Sequence, residues 1–280
     1  MVGWRSGRFA SRSLPFAVCL LVPAANLGGC GAEPPAPVAS ARSADPWPAG
    51  AADTSPPASQ SAGPSTAPAR PVETERAVRA ERLEGSEPPI FVVRAQQPST
   101  TGLVFLHGMC GDGLGYAQSF QQAAARKGTL IAPQADVPCG DGLGAKWSKG
   151  VASLDARIVD AFRRLGQPEP ITDICVIGMS QGATRAASLA RTYPERYTRL
   201  ISMGAPTAVQ AAGLEKLRAA VTMVGQRERK DLMLTSERAL RAAGVPARSL
   251  IIPDADHAGM GPHPERTMGE ALDWLWANSR

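Results

Sequence analysis

Residues 174–182, Ile174-Cys175-Val176-Ile177-Gly178-Met179-Ser180-Gln181-Gly182, decide the fold. Four apolar residues in succession read as a strand buried on both faces, the pattern of a parallel sheet. Ala183, Ala186, Ala187 and Ala190 then recur at helical spacing. A serine between such a strand and such a helix sits on a sharp turn that lifts its hydroxyl above the sheet. The small flanking residues tolerate the strained backbone that this turn requires. The helix N-terminus presents unpaired N–H groups where a developing oxyanion would lie. The competing reading is a chance match in which Ser180 only caps the helix; the strand before and the helix after it favour a nucleophile.

The same alternation extends on both sides. Strands are predicted at 90–94, 102–106, 129–132, 173–177, 200–203, 221–224 and 249–252, and helices at 116–126, 154–165, 183–192, 232–243 and 264–277. Alternating strands and helices imply an α/β fold. Its sheet is expected to be mostly parallel, with about seven strands, helices on both faces and ligands at the carboxyl ends of the strands. This folded domain is placed at 87–280.

The chain before it is of another kind. Residues 1–29 contain Arg5, Arg8 and Arg12 but no acid, then an apolar run at 14–22, then small residues up to Cys30. That order describes a secretory signal, and the run is too short to span a bilayer. A buried helix is the rival reading, but Pro15 and Pro23 would break it. Leu27-Gly28-Gly29-Cys30 resembles the bacterial lipobox. The resemblance implies a diacylglycerol on Cys30 and a membrane anchor, each buried methylene adding about 0.8 kcal/mol. Without it, the protein is secreted and soluble. Residues 30–86 are rich in Ala, Pro and Ser, as in Pro56-Pro57-Ala58-Ser59, and are expected to form a disordered tether. A short helix is expected within 73–84.

The chain has 30 basic and 25 acidic residues. Loss of the three signal arginines leaves 27 against 25, so much of the positive balance leaves with the signal. No basic stripe with interleaved aromatics remains, which argues against nucleic-acid binding. At 44% hydrophobic residues, the remainder can bury a full core.

Gly178-Met179-Ser180-Gln181-Gly182, with its flanking strand and helix, resembles the nucleophile turn of the α/β-hydrolase family across 87–280. Leu106-His107-Gly108-Met109 is similar to that family's early-strand loop. The resemblance implies that the Met109 and Gln181 backbone N–H groups form the oxyanion hole and that His107 is structural. It also implies an order of Ser, acid and His. His257, just past the last strand, fits the base, because imidazole accepts and returns protons near neutral pH. His263 is the competitor. The acid follows the penultimate strand in the family, where Gly225-Gln226-Arg227-Glu228 carries Glu228 and Asp231 lies three residues on. Glu228 is the first candidate and Asp231 the alternative; a solvated charge is the bland reading of either.

Cys110-Gly111-Asp112-Gly113-Leu114-Gly115 recurs as Cys139-Gly140-Asp141-Gly142-Leu143-Gly144. Both loops follow strands, so a Cys110–Cys139 disulfide bracing the site is one reading in an oxidising compartment. Two look-alike turns or a Gly-Asp cation site are the others. Cys175 reads as a buried small apolar residue.

Gly178–Gly182 and Ala145-Lys146-Trp147 are also similar to the phospholipase/carboxylesterase branch of the family. That resemblance implies a serine esterase without cofactor or metal. The short span between Ser202 and Val221 leaves no room for a large lid, so small or surface-presented esters are the expected substrates. Peptidase and thioesterase activity on the same fold are alternatives, as is a non-catalytic ligand-binding lipoprotein. A metal site of Asp254, Asp256, His257 and His263 lacks helical His-x-x-x-His spacing. Nothing in the sequence specifies an oligomeric state.

Overall fold

The computed structural model describes residues 77–280 apart from 141, 143 and 258. The signal, Cys30 and the tether up to residue 76 lie outside the described residues.

In chain order the strands are β1 (Ala80–Arg82), β2 (Ile90–Val93), β3 (Gly102–Leu106), β4 (Thr129–Pro133), β5 (Val137–Pro138), β6 (Ala145–Lys146), β7 (Ile174–Met179), β8 (Tyr197–Met203), β9 (Ala219–Gly225) and β10 (Ala247–Ile252). The helices are α1 (Gly113–Ser119), α2 (Gln121–Lys127), α3 (Val151–Arg164), α4 (Gln181–Thr192), α5 (Asp231–Ala242) and α6 (Pro264–Ala277). Eight strands form one sheet in the order β1-β2-β4-β3-β7-β8-β9-β10, and β5 and β6 form a separate antiparallel ribbon. From β4 through β3 to β10 every pairing is parallel, while β2 is antiparallel to both neighbours.

Sidedness follows from residue alternation. Val104, Val176, Leu200 and Ala220 share one core with residues of α3, α4 and α5. Leu103, Cys175, Ile201 and Val221 share the other with α1, α2 and α6. Both faces are therefore covered, which is why β7 and β9 are buried along their whole length.

Three expectations are corrected. The sheet begins at β1, before the boundary placed at residue 87, so the tether is not disordered through residue 86. The strand, rather than a helix, forms because Ala80–Arg82 can extend the ladder of β2 and Glu81 pairs with Arg94 at 2.8 Å. With β1 added to the seven expected strands, the sheet has eight, in keeping with the expected mostly parallel sheet of about seven. The single helix expected at 116–126 is broken at Phe120. Its side chain is fully buried, edge-on to Phe105, and the Glu265 carboxylate of α6 accepts the Gln122 and Ala123 N–H groups at 2.8 and 2.7 Å. Tertiary contacts thus supply a new helix start where the local pattern runs on.

Candidate active site

Strands β3, β7, β9 and β10 all end at the same edge of the sheet, and each is followed by a candidate residue. Ser180 follows β7 with φ +52° and ψ −115°, a conformation that costs a non-glycine residue on the order of 1–3 kcal/mol. Its N–H donates to Met203 O at 2.8 Å, and its carbonyl accepts the Ala183 N–H at 3.0 Å, which hold the turn. The turn is also wedged against β3. A Cβ on Gly182 would lie 1.9 Å from Leu106 O, so only glycine permits this approach of α4.

His257 Nε2 lies 2.9 Å from Ser180 Oγ, and His257 Nδ1 lies 2.6 Å from Glu228 Oε1. A carboxylate only accepts, so the Nδ1 proton points to Glu228 and the Nε2 lone pair faces the serine hydroxyl. Glu228 Oε2 accepts the Gly225 N–H at 2.8 Å, which fixes the carboxylate on its own turn. The two loops meet at Gly225, where a Cβ would sit 2.6 Å from Ala255 O. The Glu228 side chain is 18% exposed and that of His257 is 57% exposed. The imidazole therefore opens directly to solvent.

Residues 107–109 lie beside the serine, with the Cβ position of Gly108 3.2 Å from Ser180 Cβ. Among the described residues no hydrogen bond occupies the Met109 or Gln181 backbone N–H. His107 is fully buried. Its Nδ1–H donates to Gly108 O at 2.7 Å, and its Nε2 accepts the Ala135 N–H at 3.0 Å. Burial pulls this imidazole below its ordinary pKa, against the raising effect of the Gly108 bond. It is a neutral spacer under the loop.

A disulfide joins Cys110 to Cys139 with Cα atoms 5.6 Å apart, immediately beside Met109. Closing a loop of this length contributes roughly 3–4 kcal/mol by restricting the unfolded chain. Gly111 bridges Ala145, and Cys139 N–H donates to Gly144 O at 2.8 Å, so the two Gly-rich loops lie together. Asp112 caps α1 through the Leu114 and Gly115 N–H groups.

Other candidates lie elsewhere. Asp231 opens α5 and pairs with Arg229 at 2.9 Å. His263 stands at the N-cap of α6. Cys175 is buried mid-strand, and desolvation pushes its thiol up to about 12.

Trp147 does more than its sequence suggested. Its indole N–H donates to His107 O at 2.8 Å, and its backbone N–H donates to Gln181 Oε1 at 3.0 Å. It ties the loop after β3 to the first residue of α4. Gln134 similarly donates to Gly111 O at 3.0 Å. Neither role has a local signal; Trp147 stood out only through the similarity of Ala145-Lys146-Trp147 to the phospholipase/carboxylesterase branch.

A family model described as the alpha/beta hydrolase fold matches residues 102–250. No curated protein matches the sequence. Among solved structures, the chain is similar to FphF, a Staphylococcus aureus fluorophosphonate-binding serine hydrolase, at 13% identity and a TM-score of 0.52 over 71% of this chain and 98% of that one. It is similar to a ferulic acid esterase at 13% identity and 0.55 over 73% and 98%. It is also similar to esterase PE8 at 20% identity and 0.51 over 71% and 100%.

Proposed function

The chain belongs to the α/β hydrolase fold family, and from that premise we propose that it is an exported serine hydrolase cleaving esters through an acyl-enzyme on Ser180. The carrying observation is the continuous hydrogen-bonded line from Ser180 Oγ through His257 to Glu228, at 2.9 and 2.6 Å.

In this reading His257 Nε2 takes the serine proton as Oγ attacks the ester carbonyl carbon. Glu228 stabilises the imidazolium that forms, and the Met109 and Gln181 N–H groups receive the oxyanion. Collapse of the tetrahedral intermediate breaks the bond to the alkoxy oxygen, which leaves with the Nε2 proton. Water then repeats the sequence on the acyl-enzyme and frees the acid and Ser180. Apart from acyl transfer to water, no reactant is required.

The exposed imidazole supports small or surface-presented esters over substrates that need an enclosed tunnel. A fluorophosphonate probe tests the assignment: it is expected to add its phosphonyl mass to the peptide containing Ser180 and to block hydrolysis of short para-nitrophenyl esters. Labelling of another residue with hydrolysis intact would remove Ser180 from the reaction.

Export rests on the three-part segment at 1–29 and is supported by the Cys110–Cys139 disulfide, which persists in oxidising compartments. We further propose that Cys30 carries the lipid that holds the enzyme at the cell envelope. Cys30→Ala is expected to move the protein from the membrane to the soluble fraction and to end metabolic palmitate labelling. Retained label without Cys30 would place the anchor elsewhere.

A further inference from the structure

A cavity of about 320 Å³ opens beside His257 and Glu228, between the carboxyl ends of β8 and β9 and the first turns of α5. Its walls are mostly apolar, from Ala205, Pro206, Val224, Leu232 and Met233, with Arg229 also in the lining. Three hydroxyl residues, Ser202, Thr222 and Ser236, also line it.

Two of these hydroxyls are already engaged. Thr222 Oγ1 donates to Met233 O at 3.3 Å and lies 2.9 Å from Ser249 Oγ. Ser236 Oγ donates to Leu232 O at 2.6 Å and accepts the Val209 N–H at 2.8 Å. Ser202 differs. It is 2% exposed, and among the described residues its Oγ is the one buried side-chain polar atom without a hydrogen-bond partner. Buried hydroxyls are nearly always paired, and one left alone costs free energy that a partner restores.

Size limits the occupant. An apolar cavity of about 150 Å³ takes a benzene ring, so a cavity about twice that size has room for a substituted ring. Met233, on α5, suits an aromatic face through its polarisable sulfur. Because His257 and Glu228 stand in the lining, whatever fills the cavity lies next to the imidazole that meets the Ser180 hydroxyl.

Building on the ester-hydrolase reading, we propose that this cavity is a substrate subsite for a compact aryl-sized group ending in a hydroxyl or carbonyl oxygen, which hydrogen-bonds to Ser202 Oγ once rotation about the serine Cα–Cβ bond turns that buried hydroxyl into the cavity. The preferred substrates are then small esters with such a group on one side of the scissile bond.

The test uses matched esters in two arms. One arm compares para-nitrophenyl esters of phenylacetic and hydroxyphenylacetic acids; the other compares benzyl and hydroxybenzyl acetates. In one arm the enzyme is expected to favour the hydroxylated member in kcat/KM by about tenfold, the worth of one buried hydrogen bond. That ratio is expected to fall towards unity in Ser202→Ala, and the arm showing it identifies which half of the ester occupies the cavity. Leu232→Trp, which narrows the cavity, is expected to shift selectivity in that arm from the aryl ester towards the corresponding small ester. A merely structural Ser202 would change the melting temperature without changing the hydroxyl ratio, and that result overturns the proposal. So does a wild-type enzyme with no hydroxyl preference in either arm, or a preference that survives Ser202→Ala. If para-nitrophenyl acetate is not hydrolysed and the fluorophosphonate does not label Ser180, the ester-hydrolase reading has failed and the subsite falls with it.

Discussion

Ser180→Ala is expected to lower ester hydrolysis by about 10⁴–10⁶-fold while the fold survives. The nucleophile is the whole covalent route, and knocking out one member of a serine triad typically forfeits most of what the unit supplies. What remains comes from the oxyanion donors and substrate binding, neither of which the substitution removes. Stability is expected to change by no more than about 1 kcal/mol, since the hydrogen bond lost is to a largely exposed imidazole. Alanine also keeps the Cβ, so the strain at φ +52° is neither added nor relieved. Steady-state turnover with a thermal melt reads both quantities. Undiminished turnover in a well-folded variant would end the acyl-enzyme reading.

Glu228→Gln is expected to cost about 10⁴-fold in kcat, the scale seen when a triad acid becomes its amide. The reason is visible in the two contacts of this carboxylate, which accepts from both His257 and Gly225. A glutamine has one oxygen and one NH₂. With the NH₂ towards His257, it favours the tautomer that bears the proton on Nε2 and cannot accept from Ser180. With the oxygen towards His257, its NH₂ confronts the Gly225 N–H, donor against donor. Asp231→Asn, by contrast, is expected to stay within about twofold, because it removes an exposed pair with Arg229 worth at most about 1 kcal/mol. A crippled Asp231→Asn beside an active Glu228→Gln would transfer the acid role to Asp231. Mild losses in both would send the search to another strand, leaving Ser180 and His257 in place.

The choice between these carboxylates shows where sequence reasoning stops. Glu228 and Asp231 are three residues apart, both beside basic residues and both just after the penultimate strand. Local pattern ranks them only weakly. In the fold, the turn at Gly225 packs against the backbone of Ala255 and so brings Glu228 to His257, while Asp231 begins a helix and turns to Arg229. A contact across 29 residues separates them.

Much else was legible locally. The continuous apolar run of β7, the Ala-rich face of α4 and the Gly-x-Ser-x-Gly turn between them determined an α/β architecture with Ser180 at the carboxyl edge of the sheet. Alternation over a few residues is enough, because burial on two sheet faces constrains every position of a strand. The repeated Cys-Gly-Asp-Gly loops offered a Cys110–Cys139 disulfide as one reading beside look-alike turns and a cation site, and the fold, which brings both loops to one edge, selects the disulfide. Only the tertiary structure decided the rest. The β1 strand forms by pairing with β2, and α1 stops at Phe120 because Phe105 and Glu265 offer better partners than another helical turn. Trp147 spans two loops, and the cavity under Ser202 arises where β8, β9 and α5 meet. Each depends on groups far apart in the chain, whose contacts repay their loop-closure entropy only when the whole sheet has assembled.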